Sequence, residues 1–209
     1  MSTAQIAEQS PYRDERPVDR RIARSRSAIE ESLTALLVEG RSFDKLTVSE
    51  VANRAGLTRK TFYARFGSID AVVQGMASSL FNGILLAIPD RAYALPLSKG
   101  RLIHAVTERL YEQRDTVEFL TKLCPNHLFL QAGREAVVSI LFRRIFEVND
   151  VAPISDFDRD YLMHLLPTTL HGAITAWASR GFEDSPDKVA DFAAEMWGPI
   201  CDRIFQQSD

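Results

Sequence analysis

Cysteine is nearly missing. Cys124 and Cys201 are the only two in 209 residues, and they form no C-x-x-C pair. That argues against a disulfide scaffold and for a reducing cytosol, so the chain is expected in the cytoplasm. Long apolar runs are lacking as well. The stretch at 137–142 is among the longest, far below the roughly 20 residues that span a bilayer, so no membrane partner is expected. No apolar segment follows the charged N-terminus, which does not read as a secretion signal. Sustained strand alternation is absent, as is any Asn-Gly or Asp-Gly turn between β-branched runs. The motifs G-x-x-x-x-G-K-[ST], G-x-G-x-x-G, H-E-x-x-H and G-x-S-x-G do not occur, and no array of carboxylates and histidines implies a reaction. The four histidines include no H-x-x-x-H spacing, although His164 and His171, seven apart, could share a helix face. Neither an enzyme nor a metal or other cofactor is expected.

What is present is helical periodicity and an uneven charge. Hydrophobic residues make up 45% of the chain, enough for a packed interior. Net charge is −3, which disfavours a general nucleic-acid coat. Residues 1–66 nevertheless hold 12 Lys/Arg against 9 Asp/Glu. Between Val51 and Ile69 lie Arg54, Arg59, Lys60 and Arg65 and no acid. A basic patch on an acidic body suits a head that reads DNA on a protein that does not stick to it elsewhere. By itself, a charge run is more often a solvated helix face.

Residues 1–17 are polar, contain Pro11 and Pro17 and show no periodicity, so they read as a disordered arm. Its Arg13 and Arg16, with Arg20 and Arg21 just beyond, are candidates for the minor groove. From Arg20 the apolar residues Ile22, Ile29, Leu33, Leu36 and Leu37 recur at helical spacing until Gly40. Thr47 with Glu50 forms a capping box for a second helix, and Gly56 supplies the tight turn after it. Thr58 caps a third helix whose inward residues are Phe62 and Phe66. A fourth runs from about 69 to 88. Further helices are expected at 98–113, 115–123, 130–147 and 157–180, the last kinked by Pro167. Another follows the Ser185-Pro186 start. The fold class is therefore all-α, with about nine helices. The domains are a helix-turn-helix module at 18–67 and a larger helical domain at 68–209.

The informative span is 47–66: two short helices around a glycine turn, with small Ala52 and Ala55 permitting close approach. A helix of that length fits the major groove and reaches base edges with its first residues. Hydroxyls of Thr58, Thr61 and Tyr63, and the helix starts at Thr47, Thr58 and Ser68, suit phosphate oxygens. Residues 20–76 resemble the DNA-binding module of the TetR family. The matching residues are Thr47, Val51, Ala52, Ala55, Gly56, Leu57, Thr58, Thr61, Phe62, Tyr63, Phe66 and Ser68. The resemblance implies phosphate contacts from Thr47, Thr58, Thr61 and Tyr63. It makes Arg59 and Lys60 the base readers and sets Ser49 and Ala64 near the groove. Arg65 and Ser68 complete the candidate DNA-binding set. Two positions depart from the family pattern: Ile69 stands where Lys is usual, and Lys60 where Gly is frequent.

For the rest of the chain, the resemblance implies a homodimer that binds palindromic double-stranded operator DNA. A small-molecule effector, whose identity the sequence does not name, would release it, and the expected role is a repressor. The segment 176–182 with Ser185-Pro186 resembles the last two helices of such regulators, which pair in a four-helix interface. Trp177, Phe192, Met196, Trp197 and Ile200 are its candidate interface residues, and an intramolecular core competes for the same residues. Candidate pocket residues among the middle helices are Phe81, Leu85, His104, Tyr111, Phe119, His127, Phe142, Tyr161 and His164. Two other readings use the same sequence: a helical dimeric interaction protein without DNA binding, and a regulator controlled by a partner protein. A closed, filled core would favour either of those.

Overall fold

The computed structural model describes residues 17–206, all but the connections of them helical. Arg13 and Arg16 of the expected arm lie outside the described residues. Pro17, assigned to the arm by composition, is instead the first residue of helix α1 (Pro17–Val38), and Arg20 and Arg21 belong to that helix. Proline is tolerated in a first turn because its missing N–H would have no helical partner there.

Three helices form the head. α1 turns Ile29, Leu33 and Leu37 inward, and they are at most 2% exposed. Against them pack Val51 and Ala52 of α2 (Val48–Arg54) and Phe62 of α3 (Arg59–Arg65). Gly56, at φ 67°, makes the turn between α2 and α3 in a region that other residues enter only with strain. Arg26 of α1 holds the far end of α3. Its Nη1 donates to the Arg65 carbonyl at 3.2 Å, and its guanidinium sits 4.2 Å from the Phe66 ring centroid.

α4 (Ile69–Ala87) leaves the head and runs into the body. By length and composition it is apolar enough to cross a bilayer, which the short individual runs did not suggest. Its apolar residues are used inside the protein: Val72, Val73, Ala77, Leu80, Ile84 and Leu85 are buried. The body continues with α5 (Asp90–Tyr93), α6 (Arg101–Glu112), α7 (Arg114–Leu123) and α8 (Asn126–Ala136). A π-helical segment, Val137–Phe142, joins α8 without a break to α9 (Arg143–Val148). Two long helices close the chain, α10 (Asp156–Ser179) and α11 (Pro186–Ile204), each with an internal proline. The rods agree with the predicted nine. The surplus comes from the single turn α5 and from the π interruption, which periodicity does not reveal.

α4 and α8 pack face to face. The Phe81 and Phe129 rings lie 4.9 Å apart, and a Cβ on Gly133 would stand 3.3 Å from Phe81. α11 docks on α6 and on the 3-10 turn Leu97–Lys99. There Asp202 accepts from the backbone N–H groups of Leu97 and Ser98. Both cysteines are buried, and burial pushes each thiol up to about 12. The thiolate is the nucleophile, so native protein at pH 8 should leave Ellman's reagent almost unreacted, whereas guanidinium should release two thiols per chain. Rapid reaction of native protein would show that one of these sites opens.

Candidate nucleic-acid interface and cavity

The starts of α2, α3 and α4 are each capped by their own sequence. Thr47 Oγ1 accepts from the Glu50 N–H at 3.2 Å, and the Thr47 N–H donates to Glu50 Oε2 at 2.9 Å. Hydrogen bonds from the Thr47 hydroxyl and backbone N–H, and then from Arg41, hold the Glu50 carboxyl below its usual range. Thr58 Oγ1 accepts from the Thr61 N–H at 3.1 Å and lies 2.9 Å from Thr61 Oγ1. Ser68 Oγ caps α4 through the Ala71 N–H. These hydroxyls remain at the protein surface, where each keeps bonding capacity for an incoming oxygen.

α3 offers one open face. Arg59, Lys60, Tyr63 and Ala64 are exposed, and Tyr63 is 49% so although its ring edge rests against Phe62 at 6.0 Å. A tyrosine that the core does not need, beside two cations at a helix start, suits phosphate and base contacts. Ser49 and Thr61 are half-buried. Two basic residues of the patch are committed elsewhere. Arg65 is half-buried and its Nε donates to Ser25 Oγ of α1 at 3.0 Å, so it fastens α3 to α1 rather than standing free on the groove face. Arg54 grips Glu39 with both terminal nitrogens, one at 2.7 Å.

The body encloses a cavity of about 140 Å³. Phe81, Ile84 and Leu85 of α4 form one wall, Phe129 and Val137 another, and Pro167, Leu170, His171 and Ile174 of α10 a third. Of the nine residues expected to line a pocket, only Phe81 and Leu85 do. His104 lies on an outer cleft, its ring nitrogens 3.1 Å and 3.0 Å from Asp187 and Asp191 of α11. Tyr111 stacks on Trp177 at 5.9 Å, and Phe142 packs on Phe205 at 5.8 Å. Phe119 is half-buried and His127 exposed, neither of them on the cavity. Tyr161 and His164 face outward, and His164 is bonded to the Asp160 carbonyl and to Arg134. With His164 exposed and His171 against the cavity, the two histidines do not share a site.

Two residues that matter here stand where helical spacing does not place them: His171 is absent from the expected liners, and Trp197 from the expected cavity, its stripe pointing to a dimer interface. Both line the cavity, and His171 Nδ1 and Trp197 Nε1 are buried without a hydrogen-bond partner. Burial lowers the His171 pKa, so its ring is neutral near pH 7. Helical spacing shows that an apolar face exists; it does not show which neighbour that face meets. Of the proposed interface residues, Trp177 is 2% exposed and donates to the Asp184 carbonyl at 2.9 Å inside its own chain. Phe192, Met196 and Ile200 do face outward along α11. Phe157, Tyr161 and Leu165 make a second exposed apolar stripe on α10.

Comparison with known proteins agrees with this arrangement. Residues 34–76 match the family model for bacterial regulatory proteins of the tetR family. Over 62 residues the chain is 27% identical to the uncharacterized HTH-type transcriptional regulator YxbF of Bacillus subtilis (strain 168). That match takes in 30% of this chain and 16% of YxbF. Among solved structures, the dihydroxyacetone kinase operon activator DhaS is similar at TM-score 0.50 and 15% identity, covering 86% of this chain and 96% of its own. A protein of Shewanella sp. PV-4 assigned to the TetR family is similar at 0.51 and 17%, covering 88% and 99%. These two likenesses speak to the fold; the family match speaks to the head alone, with its two capped helices and the open face of α3. The chain thus carries, at residues 34–76, a segment similar to bacterial regulatory proteins of the tetR family, on a fold shared with solved regulators.

Proposed function

We propose that the protein is a dimeric, ligand-responsive repressor acting in the cytoplasm, with a DNA-reading head at 18–67 and a ligand-binding and dimerisation body at 68–209. Two copies set their α3 helices into successive major grooves of a palindromic operator, about 34–36 Å apart. A small molecule in the cavity favours another spacing of the heads and releases the DNA. Its effect cannot exceed its differential affinity for the two arrangements.

One observation carries this reading. α4 begins at Ile69, capped by Ser68 shortly after the proposed DNA-facing helix, and three turns later its Phe81, Ile84 and Leu85 form a wall of the cavity. Whatever fills the cavity touches the same rod that holds the head. A body with an unfilled interior also favours a small molecule over a partner protein as the signal. The dimer is supported by the exposed apolar stripes Phe192, Met196, Ile200 on α11 and Phe157, Tyr161, Leu165 on α10, the kind of surface that marks a protein–protein site. DhaS bears the name of an activator, so the sign of regulation is read separately, from a promoter fused to the selected site; repression is the expected result.

Selection of bound duplexes from a random pool tests the DNA reading. An enriched palindrome with half-sites one helical turn apart is expected. On it, Arg59→Ala should cost about 1–3 kcal/mol and relax preference at one position. Tyr63→Phe should weaken all sequences alike, because a phosphate contact reads no base. Unchanged affinity in both variants, or no enriched site at all, would remove α3 as the reading helix.

A further inference from the structure

The cavity has a specific chemistry. None of the residues lining it is Asp, Glu, Lys or Arg. Its polar groups are few, and two of them are already used. The Thr107 hydroxyl donates to carbonyls of its own helix at 3.0 Å, and the Trp177 indole is satisfied by Asp184. What remains are the indole N–H of Trp197 and Nδ1 of His171. An indole N–H is a donor only, and a neutral imidazole nitrogen takes either role according to tautomer. A buried donor left without a partner is costly, so its pairing by a ligand is favourable without any strong bond being formed. A charged ligand has no counter-charge here and would lose its hydration uncompensated.

We propose that the effector is an uncharged, mainly apolar molecule bearing an acceptor oxygen, which Trp197 Nε1–H engages, with His171 Nδ1 as a second polar point. The size fits a small ring compound: an apolar cavity of about 150 Å³ admits benzene, and this one measures about 140 Å³. The assignment of the molecule as effector rests on the regulatory reading above; the ligand class does not. Sequence periodicity had set Trp197 in an interface between subunits. In the fold its indole nitrogen is buried, in the wall formed by Ala193, Gly198 and Cys201 of the same helix.

A matched set of probes tests it on the full chain by titration calorimetry. Acetophenone and α-methylstyrene have the same shape and differ only in a carbonyl oxygen against a methylene; benzoate adds charge. Acetophenone should bind about tenfold more tightly than α-methylstyrene, the effect of one satisfied buried donor, and benzoate at pH 8 should show no binding. Trp197→Phe should remove the preference while leaving α-methylstyrene binding within about twofold. Equal affinity for the two neutral probes in the wild-type protein, binding of neither, or a preference retained in Trp197→Phe overturns the proposal. The wild-type comparison decides the matter even if the variant does not fold. Release of selected operator DNA is measured with the same probes: the acetophenone preference without release would leave the ligand class standing and overturn the regulatory reading.

Discussion

Phe192→Asp should convert the protein to a monomer and abolish tight operator binding while leaving the fold intact. Phe192 is 63% exposed in the single chain, so a carboxylate there meets water and costs the monomer little. In a two-fold interface the same residue is buried once from each subunit. Leaving a buried charge unpaired costs about 2–5 kcal/mol, and two copies raise the dissociation constant of the dimer roughly a thousandfold or more. A lone head then binds one half-site, and operator affinity should fall at least a hundredfold. Sedimentation velocity at micromolar concentration and a gel-shift titration on the selected site measure the two effects. Circular dichroism should be unchanged, and Phe192→Leu should behave as wild type. A Phe192→Asp protein that remains dimeric would show that the α11 stripe is not the interface and would return the exposed α10 residues to an open question of partner.

Gly198→Val should be the most damaging single change in the body that removes no side-chain contact. Gly198 lies in α11 where that helix meets the 3-10 turn, and a Cβ there would stand 2.6 Å from the Ser98 Cα and 3.3 Å from its backbone nitrogen. The obstruction is main chain, held in place by the carboxylate of Asp202 one helical turn on, so it does not swing aside as a flexible side chain would. Overpacking of this kind costs about 1–3 kcal/mol and occasionally more. For a chain of this size each kcal/mol moves the midpoint of thermal unfolding by about 2–4 °C, so a loss of roughly 2–12 °C is expected. Gly83 is the internal comparison. It too is helical, in α4, but nothing lies within 4 Å of its added Cβ. Gly83→Ala should therefore stabilise by about 0.5–1 kcal/mol through backbone entropy alone. If both substitutions shift the midpoint equally, helix propensity and not the close approach at Ser98 governs position 198.

The head was largely legible before any fold was known. Capping at Thr47, Thr58 and Ser68, the turn at Gly56 and the inward Phe62 depend on residues within a few positions of one another, and each stands where spacing set it. The partners of Arg54 and Arg65 were not legible. Glu39 and Ser25 lie 15 and 40 residues away, and only the packing of α1 across α2 and α3 brings them near. The body shows the same division more sharply. Its helices follow from their periodicity, yet seven of nine pocket candidates fall elsewhere, and Trp177 is core where an interface was expected.

By itself, then, the sequence determined an all-helical chain, where most of its helices start and stop, and which short basic helix keeps an open face, because local hydrogen bonds and the 3.6-residue period are properties of neighbours along the chain. Only the tertiary structure decided which apolar faces enclose the cavity, that its lining residues Trp197 and His171 hold buried, unpaired nitrogens, and which apolar residues of α10 and α11 stay exposed. An amphipathic helix presents the same stripe to a core, a ligand or a partner; what it touches is settled by how the other helices pack against it.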